Sequence, residues 1–252
     1  MTPFHLIPAY FMFKSICKRL KISLTLALLI SLSADAATLQ VYPVNIDFSQ
    51  EEKVKAVYVS NAGSTAINAQ IRIFLWEQQN DKNKLSETKN IIVSPPITDI
   101  PPGQQQLIRI IIPGPKTAGT EQSYRLVIDE LPGNDAPKSD GAVNFLLRYS
   151  LPVFISTPEE SLDNHKIEIR INRHTQPATL QVRNSNAQHI KLSDVAIINN
   201  GKEQIINKGL LGYVLANSQM QWPIPGNLPS GQTLKVTINE HSEPQNFVIH
   251  SD

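Results

Sequence analysis

Downstream of Ala37 the chain is a succession of short alternating apolar runs separated by turn residues. In the first half these are Leu39-Val41 and Val44-Ile46-Phe48 on either side of Pro43. They are followed by Val54 to Val59, Ala69 to Trp76, Ile91 to Val93, Leu107 to Ile112, Tyr124 to Leu131 and Val143 to Ile155. Clusters such as Asn61-Ala62-Gly63 and Pro101-Pro102-Gly103 punctuate them at intervals of about ten residues, the pattern of an all-β sandwich. Proline inside the first run predicts an edge strand that bends or switches sheets. A second set of similar size follows Pro158: Lys166 to Ile171, Thr179 to Arg183, Ile190 to Ile198, Gly212 to Leu215, Trp222 to Ile224, Leu234 to Ile238 and Phe247 to Ile249. The polar stretch from Ser156 to Glu160 divides the two sets. The pattern predicts two Ig-sized β-sandwich domains, 37–157 and 158–252, joined by a short linker.

The preceding segment, 1–36, reads differently. Lys14, Lys18, Arg19 and Lys21 precede an uncharged apolar run from Ile22 to Leu32, and Ala34-Asp35-Ala36 then forms a small-x-small cleavage pattern. That run is shorter than the roughly 20 apolar residues a spanning helix needs. The expectation is a signal peptide with a mature start near Ala37, export to the periplasm and no membrane insertion; Met12 is a second candidate initiator. Cys17, the chain's single cysteine, lies inside this leader, so the exported part is expected to carry neither disulfide nor thiol chemistry.

Charge and motifs narrow the function. A formal net charge of +1 argues against nucleic acid as partner, which calls for a basic face. The chain has no Gly-x-Ser-x-Gly, His-Glu-x-x-His, Walker loop or Gly-x-Gly-x-x-Gly. His165, His174, His189, His241 and His250 never fall at metal-ligand spacing. Glu51-Glu52 and Glu159-Glu160 are adjacent pairs, which a strand would turn to opposite faces. These observations predict a binding protein rather than an enzyme, with no catalytic residue, metal or cofactor.

The run AVNFLLRYSLPVFI (142–155) is long for a strand and apolar on both parities. Val143, Phe145, Leu147 and Tyr149 share one face; Asn144, Leu146, Arg148 and Ser150 share the other. It fits either a central core strand or a strand that offers an apolar face to a partner by strand addition. If it forms a hairpin with Ser123 to Leu131, Leu131 stands opposite Ala142. That register places Leu126 opposite Leu147 and Arg125 opposite Arg148. Facing like charges repel, and a shared carboxylate would relieve two guanidinium groups. The alternative is that each arginine is separately solvated or paired with Asp129 or Glu130.

Four segments, IIVSPPITDIPPGQQQLIRI (91–110), SYRLVIDELP (123–132), RYSLPVFI (148–155) and GYVLANSQMQWPI (212–224), resemble the PapD-like periplasmic chaperones of the chaperone–usher pathway of pilus assembly. They look closest to the archaic, or alternative, branch, and the likeness extends from Ala37 to about Phe247. It implies two Ig-like β-sandwich domains in a boomerang arrangement. It further implies a chaperone that stabilises pilin subunits by donor-strand complementation and delivers them to an outer-membrane usher, with self-association when free. The matching donor positions are Val143, Phe145 and Leu147. In the better-known branch an arginine of the first strand and a lysine late in the donor strand hold the subunit's terminal carboxylate; Asn45 and Ser150 stand at those places here. The anchor then falls to Arg125 and Arg148, with Arg109 a third basic residue of the family pattern, for which a structural ion pair is an equal alternative. A competing reading of the chain is an Ig-like periplasmic or surface protein that is itself structural or adhesive.

Overall fold

The computed structural model describes residues 39–116, 119–132, 145–156, 162–224, 233–239 and 243–251. Its first ten strands are β1 (Leu39–Tyr42), β2 (Ile46–Phe48), β3 (Val54–Asn61), β4 (Ile67–Gln79), β5 (Lys82–Glu87), β6 (Ile92–Ser94), β7 (Ile97–Ile100), β8 (Gln105–Ile111), β9 (Gln122–Leu131) and β10 (Arg148–Ile155). A second group comprises β11 (Ile167–Asn172), β12 (Thr179–Asn184), β13 (Ile190–Asn199), β14 (Lys202–Val214), β15 (Ser218–Pro223), β16 (Thr233–Ile238), β17 (Gln245–Val248) and β18 (His250–Ser251).

In the first group one sheet runs β1-β3-β8-β6. The other runs β2-β10-β9-β4-β5, with β7 also on β4. The chain crosses from the first sheet to the second between β1 and β2, at Pro43. Alternation explains the layering. Val57, Val59, Ile108 and Ile110 from one sheet meet Ile71, Tyr124, Leu126, Ile128 and Val153 from the other in a single core, and intervening residues face outward. The second group forms the sheets β15-β12-β11-β18 and β14-β13-β16-β17 around a core that includes Ile169, Val182, Leu192, Ile197 and Val236. Two sandwiches with separate cores are therefore present, as the periodicity predicts. The expected boundary at 157–158 and the leader lie outside the described residues.

Each sandwich is pinned by a buried asparagine at a strand end. Asn61 donates through Nδ2 to the carbonyls of Thr65 and Ile100, at 2.7 and 2.8 Å. Asn184 donates to those of Gln188, Val214 and Leu215. Side-chain amides thus satisfy loop carbonyls that water no longer reaches.

Three expectations need correction. Strand β5, with the polar sequence KNKLSE, has no apolar run to announce it; it forms because Asn80 and Asp81 both adopt positive φ and close a two-residue hairpin. Strand β14 begins at Lys202 rather than near Gly212, launched by the Asn200-Gly201 turn. The β9/β10 register differs as well: Arg148 faces Asp129, and Arg125 faces Pro152. The shift is even, so Tyr149, Leu151, Val153 and Ile155 stay on the core side in either register. What separates the two registers is charge, since the observed one sets an arginine against an acid instead of against another arginine.

Candidate functional site

The outward face of the second sheet carries Arg72, Arg125, Asp129 and Arg148, because all four have the parity opposite to the core positions of their strands. Toward the end of the sheet where β10 begins, Arg148 and Arg72 both donate to Asp129, the latter from Nη2 to Oδ2 at 2.6 Å. Burial pushes the Asp129 carboxyl up, but hydrogen bonds from Arg148 and Arg72 outweigh it and hold the group below its ordinary value. Arg148 is mostly exposed and donates to Asp129 from Nε.

Toward the second sandwich the situation reverses. The Arg125 guanidinium carbon lies 3.7 Å from the centroid of the Trp76 ring and 5.4 Å from that of Tyr213. Its Nη1 reaches only the Ser150 carbonyl, at 3.4 Å. Among the described residues no carboxylate pairs with it. Burial lowers its pKa, opposed by Tyr213. Trp76 is fixed in turn by donating from Nε1 to Asn83 Oδ1 at 2.9 Å, so the unanticipated strand β5 holds the platform on which Arg125 rests.

Arg125 opens onto a cavity of about 350 Å³ between the two sandwiches. The first sandwich contributes Val44, Asn45, Trp76, Arg125 and Ser150; the second contributes Leu210, Leu211, Tyr213, Met220 and Trp222. The walls are held by contacts across the junction. Trp76, Phe154 and Leu215 form a small apolar cluster with Tyr213 against it. Gln78 accepts from the Leu215 N–H at 2.9 Å and donates to the Tyr213 carbonyl at 2.8 Å. Glu121 Oε1 accepts from the His189 N–H at 2.9 Å and lies 2.8 Å from His189 Nδ1, while the imidazole stacks on Phe154 with ring centroids 3.5 Å apart.

The expected site residues therefore separate. Arg125 and Arg148 are not neighbours: among the described residues one has no carboxylate beside it at the cavity, while the other pairs with Asp129, which it shares with Arg72. Arg109 sits on β8 in the other sheet, exposed, facing Ala56 and Ser94 on the adjacent strands. Asn45 and Ser150, where the better-known branch has its basic pair, line the same cavity as Arg125. Of the donor positions, Leu147 packs partly against the first core, Phe145 is 85 % exposed, and Val143 lies outside the described residues. Sequence reading missed Trp76, Tyr213 and the leucine pair of β14. Trp76 had a signal, since it and Phe74 are aromatics on the strand face that also carries Gln70, Arg72 and Gln78. Among the described residues no group of three histidine, cysteine or acidic side chains could hold a metal ion.

Comparisons with known proteins agree with the fold. Residues 38–160 match the family model for the pili and flagellar-assembly chaperone, PapD N-terminal domain. Among solved structures, the chain is similar to one from the Acinetobacter baumannii CsuC–CsuE chaperone–tip adhesion subunit pre-assembly complex of archaic chaperone–usher Csu pili. Identity is 27 % with a TM-score of 0.65, covering 86 % of this chain and 100 % of that one. The Salmonella enterica SafA pilin–SafB chaperone complex matches at 18 % identity and a TM-score of 0.61, over 86 % and 98 % of the two chains. The E. coli chaperone DraB matches at 17 % and 0.56, over 85 % and 96 %. These last two establish the fold. No curated protein matched by sequence. The match of residues 38–160 to the PapD N-terminal domain and a likeness that spans both sandwiches together support a PapD-like pilus-assembly chaperone.

Proposed function

We propose that this chain captures pilin subunits in the periplasm by donating the strand that ends in β10, holds the subunit's terminal carboxylate on Arg125, and delivers the subunit to an outer-membrane usher. Residues 1–36 serve as the signal peptide, and domains 37–157 and 158–252 flank the cleft that receives the subunit.

The observation that carries the reading is the alternation along β10. Tyr149, Leu151, Val153 and Ile155 pack into the first core, and Leu147 packs partly against it. The next residue of the same parity, Phe145, is 85 % exposed. A strand that lines its own core and then carries the pattern beyond it has apolar side chains left for another molecule. The backbone edge is left open too: β2 covers β10 only from Val153 to Ile155. A subunit lacking one strand would gain ladder hydrogen bonds along Arg148 to Leu151 and fill its groove with Leu147, Phe145 and Val143. Each large apolar side chain so buried contributes roughly 1.5–3 kcal/mol before association costs. Arg125, a half-buried cation with no carboxylate beside it among the described residues, is the residue best suited to a chain terminus; Arg148 already pairs with Asp129, and Arg109 lies on the other sheet, away from the cavity.

The test is capture of a pilin co-expressed in the periplasm. Phe145→Asp sets a charge into an apolar groove and should abolish co-purification while the isolated variant keeps the wild-type melting temperature. Retained capture, or an unfolded variant, would contradict the donor assignment.

A further inference from the structure

The cavity beneath Arg125 is lined by Asn45, Asn83 and Ser150 on the first sandwich, but the second sandwich gives it an apolar wall that a carboxylate alone does not use, and the construction of that wall is irregular. Along the β13/β14 pair, Leu192 faces Gly212 and Ser193 faces Leu210, which leaves Leu211 as an extra residue on β14. A second irregularity follows at once, with Val195 facing Asn207. Asp194 and Gly209 both adopt positive φ there, and the Gly209 N–H donates to Asp194 Oδ1 at 2.8 Å. In a regular strand Leu210 and Leu211 would point to opposite faces. Around the bulge both line the cavity, and Leu210 remains 56 % exposed. Gly212 lets the opposite wall close up: a Cβ there would lie 2.9 Å from Trp222 Cζ2, so the indole packs flush against bare backbone.

We infer that this cavity reads the last side chain of its ligand as well as the carboxylate, and so selects chains that end in a free, apolar C-terminal residue. The inference rests on the assignment of Arg125 as the carboxylate anchor. Charge complementarity fixes the occupant: an unpaired guanidinium beside apolar walls fits an apolar chain terminus and rejects one that is polar or capped. With the carboxylate on Arg125, a terminal side chain would lie against Leu210, Leu211 and Trp222. A serine or lysine there would leave those walls unfilled or strand a polar group among them.

Both of the chain's tryptophans, Trp76 and Trp222, line the cavity, so intrinsic fluorescence reports its occupancy. The mature chain is titrated with N-acetylated peptides identical except at the end: leucine acid, serine acid and leucine amide. Leucine acid should bind about tenfold or more tighter than serine acid. The double variant Leu210→Ser, Leu211→Ser should abolish that preference while still favouring acid over amide. Equal binding of the two acids, both above the amide, would overturn the side-chain reading and leave the anchor standing; so would a double variant that keeps the preference. Equal binding of leucine acid and leucine amide would overturn the anchor. Absence of any fluorescence change at millimolar peptide would overturn both.

Discussion

Two ends of one sheet face treat arginine in opposite ways. Near the start of β10, Arg148 and Arg72 share the single carboxylate of Asp129. Toward the second sandwich, Arg125 lies on Trp76 with a single long hydrogen bond to a carbonyl. The strands, the face and the residue type are the same; the difference is whether an acid has been supplied. An ion pair on an exposed rim is worth little to stability. A half-buried cation with no carboxylate beside it is a candidate for a partner from outside the chain. On the proposed reading, the arginine that faces the cavity between the sandwiches without a carboxylate beside it, rather than the most exposed one, takes the subunit's terminus.

The largest expected effect comes from removing the unpaired member. Arg125→Gln should weaken subunit capture by about 2–5 kcal/mol. Its thermal midpoint should hold or rise, since a half-buried charge with no carboxylate beside it is gone. Pull-down affinity and a thermal melt on the same preparation check both halves.

A smaller effect of opposite kind is expected for Arg148→Ala. Capture should change little, while stability falls by about 1 kcal/mol or less, because Asp129 keeps Arg72 and the lost pair is partly exposed. Urea unfolding beside the Arg125→Gln variant would show the two phenotypes crossing over. Loss of capture in Arg148→Ala with unchanged stability would erase the distinction.

The smallest effect is one of pH. Asp129 has a folded pKa below its ordinary value, so the stability it contributes is present above the unfolded carboxylate pKa of about 3.9 and is lost as pH falls through the folded value. Asp129→Asn should therefore flatten the acid side of the curve of melting temperature against pH and leave its neutral side displaced downward. Parallel curves for variant and wild type would show that the two arginines do not hold that carboxylate ionised.

The sandwich architecture was legible because burial on one face of each strand writes a period of two into the chain, from Val57 and Val59 to Val236 and Ile238. The apolar alternation of β10, from Tyr149 to Ile155, was legible for the same reason. Strand β5 and the first half of β14 were not, since neither presents an apolar run; their signal lay in the Asn80-Asp81 and Asn200-Gly201 turns. The β9/β10 register escaped because residues 132–147 separate the strands, so no tight turn fixes the pairing, and an even slip leaves every core residue on its proper side. Arg125, Arg148 and Arg109 look alike in sequence. Only Asp129, Trp76 and Tyr213, brought in from other strands and the other sandwich, tell them apart.

The central claim is that Arg125 holds the subunit's terminal carboxylate, and a double-mutant cycle tests it most directly. Affinity for a cognate pilin is measured with wild-type chaperone and with Arg125→Gln, using the pilin with its natural C-terminus and with that C-terminus amidated. The account predicts that amidation weakens binding to wild type by about 2–5 kcal/mol and has little further effect on Arg125→Gln. Equal losses on amidation for both chaperones, or no loss for wild type, would contradict it.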